Sequence, residues 1–134
     1  MPTSTSCLAP LKYVVGIDIA KDTFVACLGQ LESSQQLHFR KEATFDNSFP
    51  GFTALLAWVA KQQTLPAPLW FVVEATGVYY EELAYFLTDQ QQQLSVLLPN
   101  KAKHFAQSTE QKSKTDQLDA RLLCRLGLER ALPA

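Results

Sequence analysis

Tyr13-Val14-Val15-Gly16-Ile17-Asp18-Ile19-Ala20 is β-branched and apolar on both faces of an extended chain. That pattern belongs to a central strand covered on each side, not to an edge strand with one wet face. Asp18 breaks it, a carboxylate near the end of a strand that otherwise reads as buried. Downstream, residues 23–28 and 37–45 read as two further strands, and the short polar breaks at 21–22 and 29–36 predict an antiparallel meander. Residues 49–63 carry Phe52, Leu55, Leu56 and Val59 at helical spacing, and Pro66 and Pro68 close that helix. Leu69-Trp70-Phe71-Val72-Val73-Glu74 repeats the first pattern and also ends on an acid. Ala75-Thr76-Gly77 is the turn out of it. A helix over 78–89 follows, with Tyr79, Leu83, Phe86 and Leu87 on one side. The glutamines at 90–93 read as a solvated loop. Residues 94–98 make a fifth strand ended by Pro99, and Asn100 caps a helix through Lys101, Lys103, His104 and Phe105. The order predicts an α/β domain: a mixed five-stranded sheet with three antiparallel N-terminal strands and flanking helices.

A second acid-bearing stretch is Ser113-Lys114-Thr115-Asp116-Gln117-Leu118-Asp119-Ala120-Arg121-Leu122-Leu123. Ser113 with an acid three residues on has the form of a capping box, so a helix is expected to start here. At 100° per residue Asp116, Asp119, Leu123 and Leu126 share one arc, and two carboxylates head the apolar stripe. Acids on a buried face are costly unless a positive charge offsets them. Asp18 and Glu74 emerge at one sheet edge if their strands are adjacent and parallel, and this helix can lie across that edge. Four carboxylates so placed suit one or two Mg²⁺ or Mn²⁺ ions, hard cations that prefer oxygen ligands. Two such ions roughly 4 Å apart activate a nucleophile and stabilise the leaving oxygen in phosphodiester chemistry.

The 134 residues form one domain over 12–134 behind a Ser/Thr/Pro-rich tail at 1–11. A hydrophobic fraction of 47% and a charged fraction of 19% are those of an ordinary globular protein. The net charge of −1 does not mark a nucleic-acid binder, but its distribution is uneven. Residues 1–100 hold five Lys/Arg against nine Asp/Glu, and residues 101–134 hold seven against four. The basic set Lys101, Lys103, Lys112, Lys114, Arg121 and Arg125 therefore flanks the second acid stretch, placed to position phosphates. His104 reads as a surface residue. The aromatics Phe52, Trp58, Trp70, Phe71, Tyr79 and Phe86 sit at core spacing and read as packing.

Three dispersed cysteines, Cys7, Cys27 and Cys124, show no metal-type spacing and point to a reducing compartment. Neither a signal peptide nor a membrane span is visible, and the expected location is the cytoplasm.

Three motifs carry a family resemblance: Gly16-Ile17-Asp18-Ile19-Ala20-Lys21, Val73-Glu74-Ala75-Thr76-Gly77 and Lys114-Thr115-Asp116-Gln117-Leu118-Asp119-Ala120. In this order they resemble the N-terminal domain of the DEDD-type insertion-sequence transposases. That group includes the pilin-inverting recombinases and transposases guided by a bridge RNA. The resemblance covers about residues 12–130. It implies a RuvC-like, ribonuclease-H-like fold, with Asp18, Glu74, Asp116 and Asp119 as both catalytic residues and metal ligands. It also implies DNA as substrate, a homo-oligomer that joins strands and, in some members, a guide RNA. Family members continue into a C-terminal domain that supplies a serine nucleophile. No such half is expected within these 134 residues, and nothing marks Ser108 or Ser113 as a replacement. By itself it is expected to bind metal and nucleic acid with little or no recombination.

Two other readings compete. An actin- or sugar-kinase-like phosphotransferase also opens on a β-meander with a Gly-Ile-Asp start, but it needs glycine-rich phosphate loops. The five glycines here are unclustered. A non-catalytic scaffold that binds nucleic acid is the other.

Overall fold

The computed structural model describes residues 10–63, 66–75, 77–97 and 119–129. They form a five-stranded sheet in the order β3-β2-β1-β4-β5. β1 (Pro10–Ile19), β2 (Thr23–Glu32) and β3 (Leu37–Asp46) make the antiparallel meander. β4 (Leu69–Glu74) lies parallel to β1, and β5 (Gln93–Leu97) lies parallel to β4. The described helices are α1 (Phe49–Gln62), α2 (Glu81–Asp89) and α3 (Ala120–Glu129). The expected mixed sheet, antiparallel in its first three strands, is what the chain forms.

The double-sided apolar pattern of β1 has a direct cause. Tyr13, Val15, Ile17 and Ile19 pack with Phe52, Leu55 and Val59 of α1 and with Leu83 and Leu87 of α2. Val14, on the opposite face, packs with Cys27, Val72 and Leu97 and with Leu123, Cys124, Leu126 and Leu128 of α3. Burying a large aliphatic or aromatic side chain contributes roughly 1.5–3 kcal/mol, so both layers are needed to offset the entropy of ordering the sheet.

α3 reaches the sheet over glycine. A Cβ on Gly16 would run into the backbone oxygen of Ala120 and the backbone nitrogen of Cys124. One on Gly127 would lie 2.6 Å from Val14 Cγ1. The helix axis therefore approaches β1 more closely than larger residues allow.

Several sequence expectations need correction. β2 does not stop before Gly29 but runs to Glu32. Gly29 pairs with Val14, and a Cβ there would lie 2.7 Å from Cys124 Sγ. It is in the strand because a helix packs on it, the other meaning a strand glycine can have. β1 starts at Pro10, so Pro10 and Leu11 are strand and not tail. α2 starts at Glu81 and not at residue 78, because Val78 to Tyr80 form the turn closed by the bond from Glu81 N–H to Val78 O. Tyr79 thereby falls outside the helix and is 46% exposed, so it is no core aromatic. β5 takes in Gln93, and residue 98 lies outside the described residues. The helix expected over 100–105 lies outside the described residues.

α3 is also shorter than its reading. It begins at Ala120, and Asp119 is its N-cap, with Oδ1 accepting the Leu122 N–H at 2.9 Å. A carboxylate in that position satisfies an orphan donor and faces the positive end of the helix dipole. Ser113, the cap that the sequence suggests, lies outside the described residues. Leu123 and Leu126 are buried as the stripe requires. No helix among the described residues is long and apolar enough to cross a membrane.

Candidate functional site

The parallel pairing of β1 and β4 brings two acids together across 56 positions of sequence. Their register ends at Ile17↔Val73, so Asp18 and Glu74 are the next residue on each strand. Side chains alternate along a strand. Gly16 faces α3 and Val72 faces Gly127, so Asp18 and Glu74 project to that same face. Glu74 is buried, with 6% of its surface exposed, and Asp18 is half-buried.

α3 delivers the third acid. Its first residue, Ala120, sits against Gly16, two positions before Asp18, and Asp119 stands immediately ahead of it. The charge of Asp119 is felt at Asp18. Burial first, and then that neighbouring carboxylate, raise the Asp18 pKa above its ordinary value. Of the four acids the sequence groups, Asp18 and Glu74 thus share one face at neighbouring strand ends, and Asp119 lies near enough for its charge to reach Asp18. Asp116 lies outside the described residues. Among those residues, no three His, Cys, Asp or Glu side chains form a ready metal cage.

The Asp18 shift has a measurable consequence. A carboxyl whose pKa is raised on folding contributes its stability below the unfolded pKa and loses it as pH rises through the folded one. Asp18→Asn removes the ionised form that causes the loss. In chelator at pH 8 it is expected to raise the melting temperature by on the order of a few degrees. At pH 3 parent and variant should melt together. A variant less stable than the parent at pH 8 would contradict the placement of Asp18.

The basic residues divide. Arg121 sets its guanidinium over the Phe39 ring, 4.6 Å from the centroid, and Arg125 Nε pairs with Glu129 Oε2 at 2.9 Å. Both line a groove beside Asp119. Lys101, Lys103, Lys112 and Lys114, and His104 with them, lie outside the described residues.

Sequence reasoning missed three contributors to the site's surroundings. Asn47 donates from Nδ2 to Ala20 O at 2.9 Å and to Tyr79 O at 3.1 Å. It ties the end of β1 to the segment after Glu74, and so braces the two loops that follow the strand-end acids. Its signal was an Asn between a strand and a Ser-Phe-Pro helix start, where side chains commonly bond nearby backbone. Phe39 was one of many alternating residues on β3. The third contributor is the pair of buried free cysteines Cys27 and Cys124, 97 positions apart yet close enough to shift each other's titration. Cys124 Sγ donates to Val14 O at 3.3 Å, and the neighbouring Cys27 thiol first, then burial, push its pKa up, so it stays protonated.

A family model described as a transposase, of the DEDD type, matches residues 15–133. The chain is 34% identical over 122 residues to the pilin gene-inverting proteins of Moraxella lacunata and Moraxella bovis. The match takes in 91% of this chain and 36% of each relative, so the chain spans about a third of their length. Among solved structures, RuvC of Thermus thermophilus superposes with a TM-score of 0.53 at 13% identity, over 91% of this chain and 84% of that one. The fowlpox virus Holliday junction resolvase superposes with a TM-score of 0.50 at 14% identity, over 87% of this chain and 96% of that one. At such identities the likeness speaks for the fold, which is RuvC-like and of the ribonuclease-H type.

Proposed function

This chain belongs to the DEDD-type transposase family, and from that premise we propose that it is the metal-dependent catalytic domain of a DNA transposase or site-specific recombinase. Two observations support the reading: Asp18 and Glu74 stand side by side at two parallel strand ends, and the charge of the helix-capping Asp119 reaches Asp18. Asp116, three residues before Asp119, joins them on the family motif.

The donor set fits a hard divalent cation. The donors are carboxylate oxygens of one charge, and the Asp18 pKa is raised by burial first and by the Asp119 charge second, both of which a bound cation offsets. Asp18, Glu74, Asp116 and Asp119 would hold Mg²⁺ or Mn²⁺. Bound there, the ion supplies Lewis-acid polarisation of a phosphodiester and activation of the attacking oxygen. The chain's own contribution is positional. β1 and β4 fix two carboxylates on a rigid sheet, and the N-cap bond to Leu122 N–H holds Asp119 in one orientation. Arg121 and Arg125, with Lys101, Lys103, Lys112 and Lys114, position the backbone phosphates of the DNA. The reading extends to a homo-oligomer that joins strands, to a guide RNA as a further partner, and to a serine nucleophile outside the matched span.

The test is thermal. Titration with Mg²⁺ or Mn²⁺ is expected to raise the melting temperature, by an amount equivalent to about 2.7 kcal/mol at a hundredfold excess over the dissociation constant. Asp18→Asn combined with Asp119→Asn should flatten the response. Asn caps a helix as well as Asp does, so the double variant keeps the fold while losing the charges. No response in the parent would reject the metal site.

A further inference from the structure

The groove beside Asp119 holds chemistry that the acids do not use. It encloses about 430 Å³ between β3 and α3, with Phe39 on one wall and Arg121, Arg125 and Glu129 on the other. Arg121 is exposed and lies 4.6 Å above the half-buried Phe39 ring, while Arg125 is held in place by Glu129. An aromatic ring under a guanidinium is a π-rich, positively charged shelf, the surface on which nucleobases stack. Bases inside a duplex already cover each other's faces. The shelf therefore suits a nucleotide that is unpaired.

The position of the groove says which strand. Asp119 forms one of its ends, and the same carboxylate is the one felt at Asp18. Arg125 lies six residues further along α3, about 9 Å at 1.5 Å per residue. A strand seated on the shelf is thus the strand whose next phosphate reaches the acids.

We propose that this groove seats an unpaired nucleotide of the DNA strand to be cut, its base stacked on Phe39 and Arg121 and its phosphate against Arg125. The inference rests on the reading of the acids as a phosphodiester-cleaving centre. It adds Phe39 as a substrate-binding residue and an unpaired flank as a feature of the substrate.

The experiment uses the protein with DNA oligonucleotides that are fully paired, or unpaired beside the cleavage position with 2-aminopurine at the unpaired site. Phe39→Leu keeps apolar packing against Leu37 and Leu122 but removes the ring, and Phe39→Trp restores one. Phe39→Leu is expected to weaken binding of the unpaired DNA roughly ten- to hundredfold, with loss of the 2-aminopurine quench. It should leave affinity for paired DNA unchanged, raise KM far more than it lowers kcat, and be rescued by Phe39→Trp. Parent-like binding of unpaired DNA by Phe39→Leu overturns the inference. So does an equal loss for paired and unpaired DNA, or a loss confined to RNA oligonucleotides. The divalent-cation melting shift is measured on the same variants. An unchanged shift with no stacking defect sinks the groove alone, whereas no shift in the parent sinks the acid centre alone.

Discussion

In a full-length protein carrying this domain, strand cleavage is expected to fall by on the order of 10³-fold or more in Asp18→Asn, with DNA affinity nearly unchanged. The size follows from the work asked of one carboxylate. Removing a single preorganised electrostatic group from a catalytic site commonly costs 10²–10³ in rate, and Asp18 is placed to hold the cation itself. Glu74→Gln should behave alike, because Glu74 occupies the matching place on the neighbouring strand. The informative comparison is with stability in chelator, where Asp18→Asn is expected to gain. A variant that is more stable and catalytically dead separates a functional acid from a structural one. Cleavage within tenfold of the parent at saturating Mg²⁺ would remove Asp18 from the centre.

The largest effect on the fold is expected at Gly16. A Cβ there meets the backbone of Ala120 and Cys124, including Cys124 Cα at 2.9 Å, and backbone cannot step aside as a side-chain tip can. Gly16→Val should cost at least about 3 kcal/mol in urea unfolding, at the upper end of overpacking effects. It should also lift the start of α3, and Asp119 with it, away from Asp18. Gly29→Ala is the control. Its Cβ meets Cys124 Sγ at 2.7 Å and Leu128 Cδ1 at 2.9 Å, both ends of side chains that can rotate. A cost nearer 1 kcal/mol is expected there. Equal losses at the two glycines would mean that α3 does not dock on β1 as closely as described.

Much of this arrangement was legible in the chain. β4 spans the residues its pattern predicts, because a strand covered by α1 and α2 on one face and α3 on the other must be apolar throughout. The acids stood out for the same reason, as the only charges closing such runs. What stayed hidden was decided by packing. Gly29 reads as a break until the helix lying on it is seen. The cap at Asp119 does not show in one dimension, and it is the tertiary contact of Ala120 with Gly16 that sets it against the sheet. Phe39 sits next to a register shift between Leu28 and Gly29, where strict alternation no longer says which way a side chain points.

The order in which the chain is synthesised also matters. Asp18 sits on the first strand, Glu74 on a strand that pairs with it only after a meander and a helix have intervened, and Asp119 ahead of the last described helix. Loop closure over such separations is slow and cannot be partial. A nascent polypeptide still missing α3 lacks Asp119 altogether, so the proposed metal centre is incomplete in an emerging chain. On that proposal the centre is completed only when the last described helix docks on the sheet.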